Sequence, residues 1–311
     1  MIKCCDCCEF SQANLCTVKY VVIYTGYLVT TLAYFPNSSA LNSQEPLTAL
    51  LDGARRGGMT PVENSLDADC AVIWSVLWNG RMKANQAVYE HYRQHSRPVI
   101  CIDVGALNRG HTWKVAVNNI TAEGYYHHNK NLDWDRPKKL NVILSRPKSN
   151  NNQILIAAQH KNSLQVEKLS SIEDWVTNQV KQVKQYTDRA IVVRPHPRCR
   201  LDVNFIPQDV EIQQPIRLTN TYDSFDMTFD YHTVINYNSG PGIQAAITGV
   251  PVLVDSTSLA HPVGIDISEI DAPEQKDRYQ WFVEICHTEY TVDELRNGLW
   301  LKRLKEKLLK V

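Results

Sequence analysis

Residues 192–198 read Val-Val-Arg-Pro-His-Pro-Arg. An apolar run of strand character ends here in a cationic loop, and its two prolines can continue neither a sheet ladder nor a helix interior. Pro195 and Pro197 restrict the backbone on both sides of His196, so the imidazole is presented in a fixed direction. Arg194 and Arg198 suit bidentate pairing with phosphate oxygens. His196 can donate a hydrogen bond to the same anion or help a leaving group depart. A second stretch, Tyr237-Asn238-Ser239-Gly240-Pro241-Gly242, leads from a strand through a Gly-rich turn into a short helix ended by Gly249. Free N–H groups and a positive dipole end at such a helix start favour an anion, and Ser239 adds a hydroxyl donor. The spacing is neither that of a dinucleotide fingerprint nor that of a P-loop. Either loop alone also reads as an ordinary tight turn. Together they predict a site for a phosphorylated leaving group.

A carboxylate complements them. Asp103 lies near the end of the strand expected at 97–105 and precedes Gly105, Asn108 and Arg109. At a strand end facing a cleft it can serve as general base or nucleophile, or it can cap a backbone turn. Metal binding is not expected. His127 and His128 are neighbours that point apart in a strand, and neither H-E-x-x-H nor D-x-D occurs. Asp223, Asp226 and Asp230 read as carboxylates on a solvated helix or loop.

The elements that must position these groups come in two series. Strands are expected at 18–24, 70–76 and 97–105, with helices over 45–58 (Leu47, Leu50, Leu51 and Ala54 on one face) and 83–96 (Ala84, Ala87, Val88 and His91). Segment 113–140 reads as loops and short strands. A Pro-, Asn- and Ser-rich linker at 145–153 follows. Strands then recur at 154–159, 190–197, 233–239 and 250–255, with helices over 171–186 and 240–249. The former carries Ile172, Trp175, Val176, Gln179 and Val183 along one face. A final helix over 291–311 sets Leu295, Leu299 and Leu304 against lysines. Two runs of β-α-β units predict an α/β protein with two Rossmann-like parallel-sheet domains, at 17–148 and 149–290. In open sheets of this kind ligands bind beyond the carboxyl ends of strands, where Asp103, Gln159, Arg194 to Arg198 and Asn238 to Gly242 all fall. Two facing domains would gather those ends around one cleft.

The bulk numbers narrow the field. Lys plus Arg equals Asp plus Glu at 33 each, so a globally basic footprint for nucleic acid is absent. No apolar run approaches the ~18 residues of a membrane span. The nearest, residues 20–35, carries Thr, Tyr and Gly26 and reads as a strand with a following loop or helix. With no signal-peptide pattern, a cytoplasmic protein is expected. Cys4, Cys5, Cys7 and Cys8 crowd a tail of residues 1–16. Adjacent cysteines lack the C-x-x-C spacing of a zinc site, which leaves a reduced, frayed terminus or S-acylation as the other readings.

The order of motifs resembles the bacterial capsule polysaccharide biosynthesis family, the Kdo-transferase type of GT-B glycosyltransferase. Four segments carry the resemblance: VICIDVGALNR (99–109), ILIAAQHKNSLQV (154–166), VVRPHPR (192–198) and NSGPGIQAAITGVPVLV (238–254). It runs from about residue 70 to the end of the chain. A single Asp103 followed by Val104 stands where the family has an acidic pair, and Gln244 where it has Glu. The resemblance implies a GT-B-like fold with an acceptor-side first domain. It also implies a nucleotide-sugar donor, CMP- or UDP-linked, bound in the second. Asp103 and His196 would be catalytic. Gln159, Arg194, Pro197, Arg198, Asn238, Ser239, Gly240 and Gln244 would line the donor, and Arg109 and His111 the acceptor. The acceptor would be a glycan or lipid-linked glycan. The basic final helix offers peripheral membrane contact beside its plainer reading as a solvated face. A modified base in DNA is the alternative acceptor, met by a local patch of Arg55, Arg56, Lys83, Arg109, Lys114 and Lys138. A sugar-nucleotide epimerase and a non-catalytic binding module remain as further alternatives.

Overall fold

The computed structural model describes residues 27–28, 30–148, 151–218, 228–274 and 276–310. The cysteine cluster, the strand expected at 18–24, and Asp223 and Asp226 lie outside them. Two α/β domains face one another across a cleft, each with its own sheet. Apart from the cleft sheets, β1 (Tyr27–Leu28) pairs with β13 (Leu309–Lys310). No helix among the described residues is long and apolar enough to cross a membrane.

The first sheet runs β3 (Thr60–Glu63), β2 (Thr31–Tyr34), β4 (Cys70–Trp74), β5 (Val99–Val104), β6 (Trp113–Val117) and β12 (Glu289–Tyr290). The first four are mutually parallel; β6 runs against both of its neighbours. The sheet is therefore mixed rather than wholly parallel. Strands β2 and β3 were not anticipated as strands. Alternation sets its two faces. Cys70, Val72, Trp74, Ile100 and Ile102 pack under α1 (Gln44–Arg56), while Ala71, Ile73, Val99 and Cys101 pack on α2 (Asn85–Gln94). In α1 the expected face of Leu47, Leu50, Leu51 and Ala54 is buried. In α2 it is Asn85, Val88 and Tyr92 that turn inward, and Ala84 and Ala87 are exposed. Asn85 and Tyr92 hydrogen-bond the carbonyls of Trp74 and Ser65, so a polar contact decides the face where small apolar residues do not.

The second sheet is all parallel: β11 (Val252–Val254), β10 (Thr233–Asn236), β7 (Ile154–Ala157), β8 (Ile191–Arg194) and β9 (Glu211–Ile212). Helix α4 (Ile172–Val183) buries Ile172, Val176, Val180 and Val183 on one face, and α5 (Gly240–Ile247) lies on the other. Trp175 is only partly buried in this arrangement.

After the second sheet the chain returns to the first domain. Helix α6 (Tyr279–Ile285) leads into β12. The expected single helix over 291–311 is instead α7 (Val292–Arg296) and α8 (Leu299–Leu304), split at Gly298, whose φ of 72° is left-handed. A capping box starts α7: Thr291 Oγ accepts from the Glu294 amide, and the Glu294 carboxylate accepts from the Thr291 amide. The short helix α3 (Arg136–Lys139) supplies the fastening. Buried Arg136 donates to the Cys286 carbonyl at 3.0 Å, to the Glu289 carbonyl at 2.6 Å and to Glu294 Oε2 at 2.9 Å. Leu295, Trp300, Leu301 and Leu304 then join the α1 face of the core.

This return fits only because α1 has a glycine where it meets α7. A Cβ at Gly53 would lie 2.1 Å from the Leu295 carbonyl and 3.0 Å from the Gly298 amide. Backbone has no rotamer with which to yield. Gly53→Ala should therefore destabilise the protein by about 2 kcal/mol despite the better helix propensity of alanine. Denaturant titration checks this; a variant as stable as the parent would show that α7 is loosely seated.

Candidate functional site

The carboxyl ends of β4, β5, β7, β8 and β10 converge on one cleft of about 240 Å³ between the domains. Its first-domain wall holds Ser75, Asp103, Arg109 and Lys114, and its second-domain wall Gln159, His160, Arg194 to Arg198, Ser239, Gly240 and Gln244. The walls are tied directly. The Trp78 amide donates to the Asn162 carbonyl at 2.8 Å, and the Leu164 amide to the Val76 carbonyl at 3.0 Å. Ala106 meets the start of α5, with 3.7 Å between its Cβ and a Cβ built on Gly240.

Asp103 sits at the end of β5, on the face opposite Ile100 and Ile102. Its Oδ1 accepts the Val104 amide at 2.7 Å, and its Oδ2 accepts the Ser75 hydroxyl at 2.8 Å. Ser75 is buried at the end of β4 with a φ of 64°, a conformation that costs a non-glycine residue of order 1 kcal/mol or more. That backbone is held by the Ser75 amide on the Ile102 carbonyl at 2.7 Å. The turn is what aims the hydroxyl at the carboxylate. Sequence reasoning missed Ser75, because nothing in its type announces a left-handed backbone.

The loop 194–198 places His196 in the cleft wall. The Arg198 amide donates to His196 Nδ1 at 3.1 Å, which fixes the proton on Nε2. Burial, with help from His160, Arg198 and Arg109, pushes the ring down to about 3. His196 is thus a neutral Nε2–H donor rather than a cation. His160 packs edge-on against it at 5.2 Å between ring centres. Its own Nδ1 accepts the Asn162 amide at 3.1 Å, and its protonation is depressed by burial and by Lys161 and Arg198.

At the start of α5, Asn236 orders the turn. Its Oδ1 accepts the Ser239 amide at 2.8 Å, and its Nδ2 donates to the Ser239 hydroxyl at 3.0 Å and the Ala157 carbonyl at 2.9 Å. No side chain caps the first turn of α5; Pro241 has no N–H to offer, and Gly240 brings its amide to the cleft wall beside Ser239. Gly242 is a close-approach position: a Cβ there would stand 3.0 Å from Val254 Cγ1.

Several expected residues lie elsewhere or are already engaged. Asn238 and His111 do not line the cleft. Asn238 is buried, and its amide group exchanges hydrogen bonds with Gln159, Gln165 and Thr257. It locks strand ends together. Gln159 reaches the cleft wall with both amide atoms turned to Asn238. His111 is exposed on the loop before β6. Arg194 reaches the wall, but its guanidinium donates to Gln213 Oε1 and, at 3.0 Å, to the Tyr231 hydroxyl. Both partners are neutral, so its charge stays uncompensated by them. Of the basic residues suggested for DNA, Arg55 and Arg56 end α1, hydrogen-bonded to Asp52 and Asn297. Lys114 is buried in the cleft wall.

Sequence reasoning did not single out Glu289, and it set Lys114 in a DNA-facing patch. Lys114 lies directly opposite Asp103 across β5 and β6, and Glu289 lies opposite Lys114 across β6 and β12. Among the described residues the charged groups lining the cleft are Asp103 and the four cations Arg109, Lys114, Arg194 and Arg198. With neutral donors from His196, Ser239 and α5, the cleft suits an anionic ligand beside one carboxylate.

No protein-family pattern matches the chain, and no curated protein matches its sequence. Solved structures give likenesses of architecture. One is the beta Kdo 2,4 transferase of Thermosulfurimonas dismutans KpsC, at 10% identity and TM-score 0.49, covering 85% of this chain and 92% of that one. Another is its beta Kdo 2,7 transferase, at 14% identity and TM-score 0.46, covering 87% and 98%. A third is the UDP-GlcNAc 2-epimerase of Methanocaldococcus jannaschii, at 9% identity and TM-score 0.29, covering 72% and 83%.

The neutral histidines carry a pH signature. Burial also holds His287 down to about 4, its Nδ1 donating to the Val283 carbonyl and its Nε2 accepting the Asp133 amide. Unfolded, both rings take up a proton near 6.5. The unfolded chain therefore binds more protons below that pH. Their contribution to stability is complete above about 6.5 and fades as pH falls toward about 4 for His287 and about 3 for His196. Unfolding free energies measured from pH 7 to 4 should fall, and His196→Gln should flatten part of that slope. An unchanged slope would mean that His196 is protonated in the folded state.

Proposed function

We propose that the chain is a glycosyltransferase that moves a sugar from a nucleotide-sugar donor to a glycan or lipid-linked glycan acceptor. One observation carries the reading: a hydrogen-bonded carboxylate, Asp103, faces a wall of neutral and cationic anion donors across a single cleft. Glycosyl transfer asks for those two features. The transition state resembles an oxocarbenium ion, and negative charge builds on the departing phosphate. The Gly240 amide at the start of α5, the Ser239 hydroxyl and His196 Nε2–H would take up that charge, with Arg198 and Arg109 adding positive potential. His196 is neutral, so it stabilises the phosphate by hydrogen bonding without giving up its proton. Asp103 serves as general base toward an acceptor hydroxyl or as nucleophile toward the sugar. Its ionised form is supported by the Ser75 hydroxyl and the Val104 amide.

The test is nucleotide release from a panel of CMP- and UDP-sugars, with and without glycan acceptors. One donor should be preferred. His196→Ala should lower turnover by about 100-fold, the scale for losing one preorganised donor, with little change in melting temperature. Full activity in that folded variant would remove His196 from the donor site. Conversion of the donor in the absence of any acceptor would point to an epimerase, and binding without turnover to a non-catalytic module. Salt-sensitive retention on DNA would redirect the acceptor search.

A further inference from the structure

The strands that flank Asp103 bring three charged side chains into one line. Asp103 on β5, Lys114 on β6 and Glu289 on β12 are successive cross-strand partners, so all three project from the same face of the sheet. Lys114 is 7% exposed and Glu289 1% exposed. An ammonium so deeply set persists only where carboxylates flank it, and here there is one on each side. Glu289 is itself fully engaged: Oε1 accepts the Ala106 amide at 2.6 Å, and Oε2 accepts the Thr112 hydroxyl at 2.7 Å and the Leu107 amide at 3.1 Å. It is therefore a fixed anchor, whereas Asp103 opens on the cleft.

We propose that Lys114 is a positioning residue for Asp103, held by Glu289 in a carboxylate–ammonium–carboxylate row that keeps the cleft carboxylate ionised and aimed at the ligand. The proposal deepens the glycosyl-transfer reading and rests on it for the role of Asp103. Among the described residues, Cys101, Tyr126 and Cys286 are further titratable groups that feel the charges of this row, and Arg109 lines the same cleft wall as Asp103. Burial above all, with the row's carboxylates adding to it, pushes these three groups up, so they stay neutral. Burial lowers Lys114 as well, and Glu289 and then Asp103 oppose that effect.

The experiment reads Asp103 directly. Protein carrying carboxyl-labelled aspartate is titrated by carbon NMR, with Asp103→Asn to assign the signal. The proposal expects Lys114→Met, similar in size and uncharged, to raise the Asp103 midpoint by about one pH unit or more. Lys114→Gln should do the same and serves if the Met variant does not fold. The acid limb of the donor-turnover profile should move up with the midpoint, and turnover should recover at higher pH. An unmoved Asp103 midpoint in a folded variant overturns the row. A shifted midpoint in a protein that turns over no donor keeps the row and removes the glycosyl-transfer reading.

Discussion

Glu289 is a carboxylate with almost no access to water, and much of the cleft's first wall hangs from it. Burying a charge is tolerable only when every lone pair is answered. Here the answers come from the Ala106 and Leu107 amides of the loop after β5 and from the Thr112 hydroxyl. Those contacts define where Ala106 and Leu107 lie, and so where Arg109 and the β5 end stand relative to α5. The packing around the carboxylate leaves no slack. A Cβ on Gly105 would come within 2.2 Å of Glu289 Oε2 and 2.5 Å of the Thr112 carbonyl. A side chain at 105 would push the loop off its anchor.

The anchor is delivered from far along the chain. Glu289 belongs to a two-residue strand that joins the first sheet only after the second domain is complete. Two residues of pairing are a weak attachment by themselves. Arg136, the Thr291–Glu294 capping box and the burial of Trp300 make it firm. Removing Arg136 would leave the Glu294 carboxylate and two carbonyls, those of Cys286 and Glu289, short of a donor, at a cost of several kcal/mol by the general experience with buried ion pairs. The cleft of the first domain is thus a product of the whole chain, although its reacting carboxylate comes from one strand.

The fold was legible where periodicity was strong. Runs such as Cys70–Trp74 and Ile154–Ala157 are buried on both faces, and the α1 stripe is apolar at helical spacing. Thr31–Tyr34 and Thr60–Glu63 escaped because four residues with Thr and Pro carry little strand signature. They are strands because β4 offers them a partner. Asp103, His196 and Ser239 were legible because each ends an apolar run and meets a turn signal. Lys114 and Glu289 were not. Each reads as an ordinary surface charge until a cross-strand register sets them side by side. Asn238 shows the opposite error: its place in a promising motif hid that buried backbone and amide groups nearby claim all its hydrogen bonds.

The two walls answer the same problem with different physics. The first domain sets charges of alternating sign side by side within the sheet, with Asp103, Lys114 and Glu289 as cross-strand neighbours. The second domain sets dipoles beside Arg194 and Arg198: the Gly240 amide at the start of α5, a hydroxyl ordered by Asn236, and an imidazole whose tautomer is set by the Arg198 amide. Neutral donors demand less desolvation when a charged ligand arrives or leaves, and they cannot lose a proton to it. A fixed carboxylate, by contrast, must stay charged without a ligand, which is why it needs a built-in counter-ion. The asymmetry follows from the parts each side was given. A helix start and a Pro-bounded loop supply N–H groups directly, whereas a bare strand end must borrow its electrostatics from the neighbouring strands.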